Sequence, residues 1–315
     1  NAGGALTTGT GQTFVGWNAG DAATTGTDHV GVGYAALGAC TTSHQNTCVG
    51  AYAGTAITTG GTNTIMGYRA GDAATTGGDN VAIGISALGA MTTGGDNIAI
   101  GANALDALTT AGQLVAVGKH ALGSNTSGTG NNGYGYNAGG STTTGTDNTY
   151  LGHNAGSALT TGANNVSIGS GSMSQTSATA NTGNHNVAVG YQALKALTSA
   201  QFCIGIGKDA GLSNTTGSSN TFVGYHAGDA NTTASNNSAF GDNALGANTT
   251  GTGNTALGMI CLAACETGNT NVGVGGNALN DLTTGSDNVV VGVDAGDVVT
   301  TGSSNVAVGK NAAGA

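Results

Sequence analysis

Proline is absent from all 315 residues, charged side chains make up only 6% of them and aromatic ones 4%. A soluble domain ordinarily carries about a quarter charged residues, so this poverty first suggests disorder. Permanent cations are restricted to Arg69, Lys119, Lys195, Lys208 and Lys310 against a net charge of −10. That leaves nothing to neutralise phosphates, which argues against nucleic acid and anionic membranes as partners. No apolar run approaches the roughly 18 residues of a membrane-spanning helix, and the first residues do not read as a signal peptide. A chain opening on Asn rather than Met reads as a processed product or a segment of something longer. The five cysteines are too sparse for a disulfide framework and read as small apolar filler.

What is abundant is glycine, 61 residues of it, placed at a fixed interval. The glycines from Gly16 to Gly169 that close phrases such as Asn80-Val81-Ala82-Ile83-Gly84 recur every 17 residues; after one step of 21 to Gly190 the interval of 17 resumes to Gly309. Eighteen turns with one four-residue insertion result, and a short fixed period is the signature of stacked architecture. The residue before each repeat Gly is apolar in all eighteen cases, a register that a disordered linker has no reason to keep. The expected fold is all-β, a parallel β-solenoid of 17-residue turns. It is expected to run through residues 1–315 as one continuous rod, on the order of 85 Å long at the strand spacing, with the insertion in the turn 170–189.

With the repeat Gly as slot 1, slots 15 and 17 are mostly Val, Ile or Thr and slot 16 is often Ala or Gly. This period-2 pattern predicts a short strand with slots 15 and 17 pointing inward. Slot 4 is Ala in sixteen turns and slot 5 is mostly Leu or Gly, so slots 4, 5 and 8 are expected to complete the core. Slots 2, 3, 6 and 13 carry almost every charge and are expected to face water. Slot 14 is Asn in fourteen turns, replaced by Gln12, His29, Leu114 and Cys203. Stacked turns would align Asn46, Asn63, Asn80, Asn97, Asn148, Asn165, Asn288 and Asn305 in a hydrogen-bonded column. Paired Thr at slots 9 and 10 would form a double column in the same way.

Such a coil buries little apolar surface per turn, which predicts association into a homotrimer or fibre bundle, covering the slot-5 leucines and the slot-2 aromatics Trp17, Tyr34, Tyr68, Tyr136, Tyr191 and Tyr225. The same aromatics are the candidate surface contacts for a cell-surface glycan.

Phrases such as Asn-Val-Ala-Val-Gly-Tyr-Gln-Ala-Leu (186–194) and Asn-Thr-Thr-Gly (248–251) resemble the Gly/Asn/Thr-rich repeats of bacteriophage tail fibres and bacterial surface adhesins. The Asn-x-Val-Ala-Ile-Gly phrase is also similar to the head repeat of YadA-like trimeric autotransporter adhesins, whose repeat is shorter than 17 residues. The resemblance covers the whole chain and implies a β-roll, trimeric assembly and a place outside the cell, on its surface or on a virion.

No catalytic group can be assembled from the spacing. Acidic residues are spread singly, whereas a polysaccharide-cleaving β-helix needs a carboxylate pair or a metal-assisted base. Cys40, His44 and Cys48 have a Cys-x₃-His-x₃-Cys spacing, but they occupy ordinary repeat slots and match no zinc module. Asp28, Asp79, Asp96, Asp147 and Asp287 share slot 13; they read as solvated turn chemistry, with a calcium contact as the alternative. No other cofactor is expected. Asn125, Asn214, Asn231 and Asn248 head Asn-x-Thr or Asn-x-Ser triplets that could carry glycans. The sequence thus points to a non-enzymatic structural fibre shaft or adhesin without membrane insertion. The rival is an ice- or glycan-binding surface protein, and a polysaccharide-active enzyme is more remote.

Overall fold

A computed structural model describes residues 1–175 and 181–314. The chain is an all-β parallel solenoid of eighteen three-residue strands, one per turn, and the described residues include no helix. It divides into two compact units, Asn1–Thr161 and Gly162–Ala315. The first holds nine strands from Thr13–Val15 to Thr149–Leu151, and the second nine from Val166–Ile168 to Val306–Val308. Within each unit a strand pairs in parallel with the one a turn later, so that Val81 lies beside Ile98 and Ile98 beside Val115. The one longer step is Val166 to Val187, 21 residues on, so the extra length leaves the strand register intact. Residues 176–180 of that insertion lie outside the described residues.

Each strand stops after three residues because the next residue has a backbone only glycine adopts readily. From Gly16 to Gly309 the slot-1 φ lies between +115° and +145°. A Cβ on Gly84 would sit 2.7 Å from the carbonyl oxygen of Gly101 in the turn above, so the spot has neither the conformation nor the room for a side chain. Slots 3, 5 and 13 are also left-handed, even where they hold Tyr52, Leu88 or Asp79. Rung-to-rung bonding nevertheless continues beyond the strand. Ser86 N donates to Tyr68 O in the turn below at 3.1 Å, and Leu88 N to Ala104 O in the turn above at 3.0 Å.

The strand faces the opposite way from the expected one. Slot 16 is the buried member: Ala82, Ala99, Ala116, Tyr150 and Phe222 are wholly enclosed, while slots 15 and 17 lie half-buried or exposed on the outside. Alternation fixes which residues share a face, but not which face is inner. A 17-residue coil has room for one strand side chain per turn inside, and the small residue fits there beside the leucine of slot 5. The slot-4 alanines and the leucines of slots 5 and 8 are buried as expected; Leu88, Leu105 and Leu108 are fully enclosed. The leucines expected to be covered by association are therefore already covered by their own chain.

Slots 5 and 16 share one volume. Tyr150 lies between Gly139 and Gly156, Phe222 between Gly211 and Gly228, and Ile65 between Gly54 and Gly71; a Cβ on any of these glycines would come within 3.4 Å of the large ring or branch. Where slot 16 is Ala116, the flanking slot-5 residues are Leu105 and Leu122. Bulk thus comes from one wall or the other, which is how so narrow a lumen is filled.

Candidate association face

The inner polar column holds the strand level. Asn63 donates from its backbone N and from Nδ2 to Asn46 Oδ1, at 2.9 and 3.0 Å, and again from Nδ2 to Gly77 O at 3.0 Å. Asn80 and Asn97 repeat this pattern on Asn63 and Asn80. The fully buried amide therefore meets backbone groups the tight turn leaves without partners, the condition under which buried polar networks stabilise. Asn148 bonds Asn131, Asn165 accepts from Asn186, and Asn288 and Asn305 continue a run from Asn271.

His29 takes the same place with different atoms. Its Nδ1 accepts the backbone N–H of Asn46 at 3.1 Å, which puts the ring proton on Nε2, and Nε2 donates to Ser43 O at 2.9 Å. Imidazole thus copies an amide, and burial lowers the pKa of His29 from its ordinary value. Cys40 Sγ lies 3.2 Å from that Nε2 and 3.0 Å from Ser43 Oγ, while His44 sits on the surface against Thr27. The Cys-x₃-His-x₃-Cys spacing therefore brings Cys40 to His29 rather than to His44.

All five cysteines are buried thiols. Burial pushes the pKa of Cys265 up to about 11 and that of Cys261 up to about 12, which removes the thiolate needed for nucleophilic or metal chemistry at neutral pH. Among the described residues no group of three or more His, Cys, Asp or Glu is placed to hold a metal. Of the slot-13 aspartates, Asp79 and Asp287 accept hydrogen bonds from Thr62 and Thr270 one turn below. Asn125, Asn214, Asn231 and Asn248 are fully buried, so the folded chain offers no amide for glycan attachment at these triplets. The slot-9 threonines also look inward in function: Thr75 Oγ1 donates to Thr92 O at 3.0 Å and Thr92 Oγ1 to Thr109 O at 3.1 Å. The slot-10 threonines Thr76 and Thr93 are exposed.

The outward strand face remains. Val15, Met66, Ile98, Ile100, Tyr134 and Leu151 in the first unit, and Ile204, Ile206, Phe240, Leu257 and Val289 in the second, are large exposed apolar side chains on it. No strand carries a charged residue at slot 15 or 17. An uncharged sheet face with an apolar side chain at slot 17 on each of nine rungs is the kind of exposed patch that marks an interaction surface. The signal is present in the sequence as an apolar slot 17, joined in ten strands by Val or Ile at slot 15; an inward direction for these slots conceals it.

The slot-2 aromatics stand exposed as expected, with Trp17 the most open at 68%. Tyr34 and Tyr68 are bridged by Tyr52, whose ring centroid lies 5.1 Å from the first and 6.2 Å from the second. Tyr52 belongs to slot 3 and fills the gap over Ala51, a substitution that a slot-2 search misses. Tyr136 stacks on His153 at 5.3 Å. Tyr225 packs on His226 and has Lys208 Nζ 5.1 Å from its ring centre, while Tyr191 Oη accepts from Gln192 Nε2 at 3.1 Å. Comparison with protein-family models, with curated proteins and with solved structures finds no match for this chain.

Proposed function

We propose that the chain is a structural, non-enzymatic fibre shaft or adhesin segment, outside the cell or on a virion, and that copies of it associate through the outward strand faces. The observation that carries this reading is the uncharged outward strand face, on which slot 17 is apolar in all eighteen strands. The resemblance of the Gly/Asn/Thr-rich repeat to tail-fibre and adhesin shafts supports the same reading. Sedimentation equilibrium at micromolar concentration tests it. The expected result is a particle of two or more 29.8 kDa chains, a homotrimer being the simplest closed form, and a folded monomer overturns the proposal.

A second reading, glycan binding, is favoured by the Tyr34, Tyr52 and Tyr68 cluster, whose rings have polar tips and exposed apolar faces. Tyr52→Ala with Tyr68→Ala should abolish retention on a glycan array if that reading holds, and leave it unchanged if the cluster does not bind sugar.

A further inference from the structure

A face built of near-identical rungs can slide by whole turns, so association alone does not say which rung meets which. The five strands that depart from Val or Ile at slot 17 supply the missing information. Met66, Tyr134, Leu151, Phe240 and Leu257 are between 39% and 49% exposed. Each shares its strand with a small polar residue at slot 15: Thr64, Asn132, Thr149, Ser238 and Thr255 respectively. Wherever slot 15 is Val or Ile, slot 17 is Val or Ile as well, as in Val81 with Ile83 and Ile204 with Ile206. A large slot 17 thus never shares a turn with Val or Ile at slot 15, while Thr13, Thr47 and Thr221 at slot 15 stand beside the valines Val15, Val49 and Val223.

Water gives no reason for such avoidance, because a hollow beside an exposed ring is simply filled by solvent. A covering surface does, since unfilled volume against a packed neighbour forfeits contacts. The symmetry of the cover follows from the avoidance occurring within one turn. If copies are related by rotation about an axis parallel to the stacking direction, slot 17 of one copy faces slot 15 of the same turn in the next. Antiparallel copies meeting face to face would instead set slot 17 against slot 17 of different turns, where avoidance within a turn achieves nothing.

Resting on the association proposed above, we infer that the partner is a second copy of this chain, parallel and turn-for-turn in register, with the large side chain of each pair seated over the small slot 15 of its neighbour. The pairs Tyr134 with Asn132 and Phe240 with Ser238 then set the register in the first and second unit. Packing rather than charge performs the selection.

Cysteine cross-linking between two co-expressed versions of the full chain tests this. The five native thiols are buried and need not be removed. Asn132→Cys on one version is combined with Tyr134→Cys on the other, and separately Ser238→Cys with Phe240→Cys. The off-register control combines Asn132→Cys with Met66→Cys, four turns apart. The expected result is oxidative dimer formation in both same-turn pairs, at least tenfold above the control. Two same-turn pairs at different rungs cannot both lie on the two-fold of an antiparallel dimer. A native mass measurement on each mixture separates the failures. Monomers remove the association itself, whereas intact oligomers without same-turn cross-links, or with the control pair cross-linked equally well, overturn the register and leave association standing.

Discussion

His29 shows how specific the chemistry of the inner column is. What slot 14 requires is an acceptor for the next rung's N–H and a donor for a carbonyl fourteen residues on, and a neutral imidazole with its proton on Nε2 supplies both. The folded-state pKa is lowered, so above about pH 6.5 both folded and unfolded states hold the ring neutral and the full stability is present. As pH falls below that value the unfolded chain takes up a proton that the folded chain refuses. Stability is lost, by at most about 1.4 kcal/mol per pH unit, until the folded pKa is reached. Urea midpoints measured from pH 7.5 to 5 should therefore fall more steeply for the native chain than for His29→Asn, which restores the usual ladder residue. The cysteines give a second test. A disulfide reagent at neutral pH should find no reactive thiol in the folded chain and five after denaturation in guanidinium. Gly84→Ala should cost on the order of 3 kcal/mol or more in a urea titration, because it combines backbone strain with a clash against Gly101. Individual identities such as Gly84 and the Asn column were readable from recurrence. The role of His29 was not, because its likeness to Asn lies in where its ring atoms point.

A single turn is a compromise between a strand, a strained corner and a narrow lumen. Leucines at slot 5 accept a left-handed backbone, Leu105 at φ 51° and Leu122 at φ 49°, at a cost of about 1 kcal/mol each, offset by full burial. Their counterpart is a small slot 16. Tyr150 inverts the arrangement, filling the lumen from the strand side while its hydroxyl meets Thr142 Oγ1 at 2.9 Å. Tyr150→Ala should lower stability by roughly 3–5 kcal/mol through the cavity it leaves. Adding Gly139→Leu and Gly156→Leu, which recreates the surroundings of Ala116, should recover a large part of that loss in the same denaturant assay. A combination no more stable than Tyr150→Ala alone would contradict the shared-volume account. The period, the corner glycine and the small slot 4 were legible as recurrences. The strand's facing was not, because in most strands the larger apolar residue sits at slot 17 and a smaller one at slot 16, so the usual rule of the hydrophobic side inward points the wrong way.

For the molecule as a whole, each unit repeats one solution nine times, and its outer face is as uniform as its core. Thinness of core predicts association, but the slot-5 leucines expected at the interface are core themselves. The interface proposed in their place is the strand face, so two neighbouring residues of one strand make opposite predictions. Ala99 points into the lumen and is fully buried, whereas Ile100 points outward and is 36% exposed. The most direct measurement is therefore particle mass by light scattering, taken with circular dichroism, on the native chain, Ile100→Asp and Ala99→Asp. The native chain should be an oligomer. Ile100→Asp should be a 29.8 kDa species with the native β-spectrum, and Ala99→Asp should lose that spectrum. A native chain that is already a folded monomer, or an Ile100→Asp chain that unfolds as Ala99→Asp does, would contradict the account.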